Sequence, residues 1–349
     1  MKAVVFVGQG KVRVDDVPRP GIQDPDDAVV KISLSAICGS DLHLLDGKTP
    51  GMREGGVIGH EFVGTIEELG DGVARHVEGT RVVGSFLIAC GTCGPCTEGR
   101  FNHCKNRQAL GLGTLTGDLD GAQAEYVRVP KAQVNLKTLD GALAGLSNEE
   151  ALFGGDVLAT GFYAASLAEP HQAATIVVIG AGPIGLLTAA ALRDRVGSLV
   201  VLDTDQQRVD FAGTLGFEAL LTEGDDASEL IAGVTAGRLA DTVIEAVGSL
   251  GAFKSAMRCA RDGGKVVVVG VYGAERFDLP IGKAWIRSLD IRFAGMANVQ
   301  AHWGDALLSV AKGTTEPTKL ISHRLALDDA VEGYELFASR VAAKVVLTP

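Results

Sequence analysis

Residues 175–192 read TIVVIGAGPIGLLTAAAL: an apolar strand, a turn with three glycines in six positions, then an unbroken stretch of helix formers. A strand without a polar face has to be covered on both sides, which is the situation in parallel sheets whose crossovers are helices. The run is too short and too glycine-rich to be a membrane span. The same rhythm recurs. Apolar strands are expected at 199–202, 242–246, 265–269 and 291–294, and helices at 184–195 and 206–215. Residues 157–296 are therefore expected to form a doubly wound parallel sheet, an α/β fold of Rossmann type.

The turn also carries chemistry. Gly180, Gly182 and Gly185, with Pro183 and Ile184 opening the helix, fit G-x-G-x-x-G directly after a strand. Such a turn brings a pyrophosphate close to free N–H groups at a helix N-terminus. Asp203 ends the next strand, LVVLD, about twenty residues on, where a carboxylate accepts hydrogen bonds from the adenosine ribose. A carboxylate there repels a 2′-phosphate, so NAD is favoured over NADP. Arg208 is placed to flank the adenine or to lie solvated on the surface.

The rest of the chain has another grain. Residues 1–156 alternate short β-rich runs, at 3–7, 28–34, 61–69, 81–88 and 124–129, with Gly, Pro and Asp clusters. They predict a β-rich first domain. From 297 the pattern relaxes into two helices and a run at 344–347, expected to return to that domain and complete it.

A net charge of −11 without a basic stretch excludes nucleic acid and anionic membranes as partners. The opening MKAVVFVGQGKVRVDD lacks the marks of a secretory signal, so a soluble, cytoplasmic protein is expected. In that compartment, four of the six cysteines within fifteen residues are metal ligands before they are disulfides. Cys90, Cys93, Cys96 and Cys104 follow C-x2-C-x2-C-x7-C. Four thiolates saturate a tetrahedral zinc and leave no open position, so this metal is structural. An iron–sulfur run has three residues before its last Cys and a Pro after it; here there are seven, and Lys105 follows. His103 is read as a surface neighbour of the lobe and Cys259 as a packing residue.

Two further segments carry a resemblance: ICGSDLH at 37–43 and GHEFVGTIEELGDGV at 59–73. With Gly59, His60, Glu61, Gly64, Gly70 and Val73 they fit G-H-E-x2-G-x5-G-x2-V. Followed by the cysteine lobe and the glycine turn, they make the chain resemble the zinc-containing alcohol dehydrogenases of the medium-chain dehydrogenase/reductase superfamily. The resemblance implies a GroES-like first domain and two zinc ions per chain. It places the catalytic zinc between the domains on Cys38 and His60, with Glu61 near the metal or binding it transiently.

In the animal enzymes the third ligand is a second Cys. Here the matching position, four before Thr160-Gly161, is Asp156, as in bacterial secondary-alcohol dehydrogenases. An Asp before a helix also suits an N-cap. Ser40 and His43 match a relay that carries the substrate proton to solvent, and Thr160, Val247 and Lys344 match cofactor contacts, Lys344 at the pyrophosphate. The implied activity is hydride transfer between NAD and a small alcohol, aldehyde or ketone, in a homotetramer or homodimer. Polyol, amino-alcohol and formaldehyde-type dehydrogenase or dismutase activities are the neighbouring alternatives. A non-catalytic nucleotide sensor has no physical need for a metal set, a relay and a cofactor turn together. Leu42, Phe86, Phe101, Leu112 and Met296 are candidate pocket walls.

Overall fold

The computed structural model describes residues 1–47, 51–273 and 278–349, and the chain forms two compact units, Met1–Ala159 with Asn298–Pro349 and Thr160–Ala297. The first unit begins with a hairpin of β1 (Lys2–Gly8) and β2 (Lys11–Asp16). Its spine is β3 (Ala28–Ile37), which pairs antiparallel along its length with β4 (Glu61–Leu69). β5 (Arg81–Gly84) extends the sheet. The run expected at 81–88 is broken there, and the reason is local. The Phe62 ring occupies the space a side chain at Gly84 would need, and Ser85 turns the chain by accepting the Leu87 N–H at 3.1 Å. β6 (Leu87–Ile88) then pairs with β7 (Gln108–Ala109) in a separate two-stranded sheet. β8 (Tyr126–Val129) returns to the first half of β3, and β9 (Leu136–Thr138) to β5. Phe62, Ile66, Val82, Ile88 and Leu110 fill the core between these layers, each stabilising by about 1.5–3 kcal/mol as a buried side chain.

The second unit holds the parallel sheet: β10 (Thr175–Ile179), β11 (Ser198–Asp203), β12 (Glu218–Leu221), β13 (Ala240–Glu245), β14 (Ala260–Val268) and β15 (Asp290–Phe293), in spatial order β12-β11-β10-β13-β14-β15. β12 was not expected. It is a four-residue edge strand whose apolar run, Ala219-Leu220-Leu221, is short and only partly buried. The chain winds outward from β10 in one direction and then from β13 in the other, so the switch point lies between those two strands. The helix Pro183–Leu192 starts directly at the glycine turn, with Pro in its first turn.

After the second unit the chain re-enters the first. β16 (His323–Ala326) and β17 (Val345–Thr348) are parallel, and β17 is antiparallel to β3, with Val345 opposite Ile37. No helix among the described residues is long and apolar enough to cross a membrane.

Candidate active site

β3 ends at Ile37, and Cys38 follows as the residue before the helix Gly39–Leu45. His60 and Glu61 stand at the start of β4, where Glu61 pairs with Ala36. Asp156 follows the short turn Phe153–Gly155, which is pinned by the Phe86 N–H donating to the Gly155 carbonyl at 3.1 Å. These positions bring Asp156 Oδ2 to 3.5 Å from Cys38 Sγ and 3.3 Å from His60 Nε2. With Glu61 included, one donor atom from each residue lies within 4.8 Å of all the others, and all four residues are buried.

A buried thiol, imidazole and two carboxylates are costly together unless a cation joins them. Burial pushes the His60 pKa down, but the carboxylates of Asp41 and Asp156 outweigh it and hold the imidazole well above its ordinary value. Burial and the charge of Asp156 push the Cys38 thiol up. The set thus attracts positive charge, and its sulfur, nitrogen and oxygen donors fit zinc. Cys38, His60 and Asp156 alone supply three donors, one short of a tetrahedron, so without Glu61 a further ligand has room.

The orientation of His60 comes from a residue that the sequence reading passed over. Asp41 Oδ1 sits 3.2 Å from His60 Nδ1, so Nε2 is the nitrogen facing Cys38 and Asp156. Asp41 Oδ2 accepts the Cys38 N–H at 2.9 Å and the Gln123 amide at 3.2 Å, and Tyr334 donates to Gln123 Oε1 at 2.8 Å. A carboxylate on the other nitrogen is a common way to orient a metal-binding histidine. The signal lay in C-G-S-D, where the third residue after the ligand reaches back to cap its own helix. Gln123 and Tyr334 carried no such local signal.

Ser40 Oγ lies 3.1 Å from His60 Nε2, and His43, half-buried, follows three residues later on the same helix face. Lys344 pairs with Glu61. Its Nζ lies 2.6 and 2.5 Å from the two oxygens of Glu61, and the side chain is buried. The register of β17 on β3 explains this, because the residue before Val345 falls beside Cys38. Burial pushes the Glu61 carboxyl up to about 7 against the pull of Lys344. The Phe86 ring packs edge-on to His60, 5.9 Å between centroids.

In the cysteine lobe, Cys93 Sγ lies 3.5 Å from that of Cys96 and 3.9 Å from that of Cys104. The N–H groups of Cys90 and Asn106 point at Cys104 Sγ, each at 3.3 Å. Burial pushes the Cys96 thiol up to about 12; at Cys90 the N–H groups of Thr92 and Cys93 overcome burial and hold it down to about 5. Four sulfurs without another donor suit a closed tetrahedral zinc.

At the glycine turn each glycine has its own task. Gly180 has φ +106°, and a Cβ there would come within 2.8 Å of Val247 Cγ2. Gly182 faces open space, where a phosphate can approach. A Cβ at Gly185 would collide with the Gly180 carbonyl oxygen, so only glycine lets the helix pack this closely. Asp203 is buried, with Oδ2 accepting the Ala181 N–H at 2.7 Å and Oδ1 the Asp205 N–H at 3.0 Å. Arg208, partly exposed, reaches to 3.9 Å from Asp203 Oδ2. Val247 is half exposed and Thr160 buried.

Comparison with known proteins gives the family. The family profile "Alcohol dehydrogenase GroES-like domain" matches residues 24–138, and "Zinc-binding dehydrogenase" matches 183–312. An alcohol dehydrogenase of Cupriavidus necator is 32% identical over 365 aligned residues, covering 97% of this chain and 96% of its own. The alcohol dehydrogenase TADH from Thermus sp. ATN1 superposes with a TM-score of 0.93 at 38% identity, covering 100% of this chain and 99% of its own. A zinc-binding dehydrogenase of Sinorhizobium meliloti 1021, solved bound to NADP, gives a TM-score of 0.86 at 30% identity, covering 100% and 99%.

Proposed function

This chain belongs to the zinc-type alcohol dehydrogenases, and from that premise we propose that it transfers hydride between NAD and an alcohol or its aldehyde or ketone. The observation that carries the reading is the convergence of Cys38, His60 and Asp156 around one point, with Glu61 beside them. Cys38, His60 and Asp156 would hold a catalytic zinc, and Cys90, Cys93, Cys96 and Cys104 a structural one. When bound, zinc supplies a Lewis acid for the substrate oxygen, and NAD takes or returns the hydride.

The chain's own residues do the rest. Asp41 fixes the imidazole so that Nε2 keeps its lone pair for the metal. Ser40 Oγ, beside that nitrogen, is placed to take the hydroxyl proton, and His43, one turn along the helix, to pass it to solvent near neutral pH. Lys344 balances the charge of Glu61 and keeps that carboxylate engaged. Gly180, Gly182, Pro183, Ile184 and Gly185 would receive the pyrophosphate, and Asp203, with Arg208 alongside, the adenosine. The Asp203 carboxylate supports NAD over NADP, although the Sinorhizobium meliloti relative was solved with NADP.

Five of the six cysteines falling in the two metal sets suits a cytoplasmic location. A homo-oligomer is supported by Ile281, Trp285, Ile286 and Phe293, all highly exposed near the β15 edge of the parallel sheet. The test is a panel of primary, secondary and polyol alcohols with NAD or NADP, followed by NADH or NADPH absorbance, beside metal analysis of the same sample. About two zinc ions per chain and NAD-dependent turnover are expected. No turnover with any alcohol in the zinc-loaded protein would refute the reading.

A further inference from the structure

Glu245 closes β13 with its side chain fully buried, and neither metal set uses it. Its Oε1 accepts the N–H groups of Val247 and Gly248, both at 2.8 Å, and its Oε2 accepts the Tyr272 hydroxyl at 3.0 Å. Its backbone carbonyl accepts Val269 N–H at 2.8 Å and Gly270 N–H at 3.0 Å. One residue thus ties the loop after β13 to the loop after β14. The two loops touch backbone to backbone: a Cβ on Gly270 would fall 2.6 Å from Gly248 Cα. On its other side the first loop packs Val247 against Gly180. Three loops at the carboxyl ends of β10, β13 and β14 are therefore braced through one carboxylate.

The strand order gives this brace a place in the chemistry. Asp203 ends β11, on one side of β10, while β13 and β14 lie on the other. A dinucleotide with its ribose at Asp203 and its pyrophosphate over the glycine turn has to carry its second half across the ends of β13 and β14. The large apolar side chains exposed there are Val247 and Val271, one from each braced loop. We infer that Glu245, with Tyr272, is a positioning residue for the nicotinamide half of the cofactor, acting through Val247 and Val271 without touching it. A carboxylate suits the task because it accepts three hydrogen bonds at once in a dry site, where such bonds are stiff.

This inference rests on the dinucleotide reading above, and the experiment separates the two. NADH binding by the zinc-loaded protein is titrated by fluorescence, and binding of 5′-AMP, which needs only the adenosine half, by competition. Tyr272→Phe, which removes one hydroxyl, should weaken NADH about threefold to tenfold and Glu245→Ala further, with 5′-AMP unchanged in both. Glu245→Gln should restore most of the affinity. Its amide oxygen still accepts from the loop, and its amide nitrogen can donate to Tyr272, whose hydroxyl also lies 3.1 Å from the Ser249 carbonyl. Should Glu245→Ala fail to fold, Tyr272→Phe decides. Unchanged NADH affinity in the variants, or parallel loss of NADH and 5′-AMP, would overturn the inference. Wild-type protein that binds 5′-AMP but neither NADH nor NADPH would overturn the dinucleotide reading itself.

Discussion

Replacing Asp41 by Asn should loosen the catalytic zinc while the structural zinc stays in place. Asp41 is fully buried: its Oδ2 accepts the Cys38 N–H at 2.9 Å and the Gln123 amide at 3.2 Å, and its Oδ1 lies 3.2 Å from His60 Nδ1 as an ion-pair contact. Asparagine fills the same volume but offers one accepting oxygen and one donating NH2. If its oxygen stays toward Cys38 and Gln123, the NH2 meets His60 Nδ1 and drives the imidazole proton onto Nε2, the nitrogen meant for the metal. If the amide turns over, it is Cys38 and Gln123 that meet a donor. Either way at least one buried donor is mismatched, at about 1–3 kcal/mol. That corresponds to roughly 10- to 100-fold in zinc affinity, the range found when the carboxylate behind a histidine ligand is lost. The assay is competition with a chromophoric chelator, in which Cys90, Cys93, Cys96 and Cys104 serve as the internal control. Two zincs released with wild-type affinities, or both weakened equally, would refute the reasoning.

Asp156→Ala should lower the metal content from about two zinc ions to about one and reduce kcat/KM by more than about 100-fold; full zinc content would mean that Asp156 is not a ligand. Asp203→Gly should weaken NAD by about 10- to 100-fold and NADP far less, read from the two KM values; equal losses would remove Asp203 from the ribose site. Asp241 gives a pH test. Burial raises its carboxyl, but the Thr175 N–H at 2.8 Å and the Arg261 guanidinium at 2.7 Å outweigh burial and hold it below the usual range. Its stabilisation is therefore present at neutral pH and disappears as the pH falls through that lowered value. Asp241→Asn should lower the unfolding midpoint at pH 7 by about 2–4 °C per kcal/mol lost, and the gap to wild type should close below about pH 4. A gap independent of pH would refute the assignment.

What was legible in the sequence is what is built locally. The glycine turn and the cysteine lobe each lie within a few consecutive turns of chain, so spacing alone carries their geometry. The parallel strands announced themselves because burial on both faces leaves nothing but apolar residues. Cys38, His60 and Asp156 come from distant segments, and only the family resemblance joined them in advance. Lys344 shows the limit. The resemblance set it at the cofactor pyrophosphate, and the register of β17 on β3 pairs it with Glu61, which no local pattern foretold. Registers of that kind depend on strands some three hundred residues apart, and no window of sequence contains both. Gln123, Tyr334 and Glu245 escaped notice for the same reason: each is unremarkable until its partners arrive from elsewhere.

The placing of β17 against β3 also bears on how the chain is made. β3 ends at Ile37 and its partner begins at Val345, so at ribosomal rates of about 5–20 residues per second the second half of that edge waits on the order of 15–60 s for its neighbour. In the meantime the whole of Thr160–Ala297 has emerged and can fold, while Cys38 stands at the end of a strand paired with β4 on one edge and open on the other. An open edge of this kind invites association with other chains. The nascent protein is thus most vulnerable at the end of its first unit where Cys38 and His60 meet, just beyond β3 and just before β4, and under the function proposed above zinc held by that pair would keep this end in order until synthesis catches up.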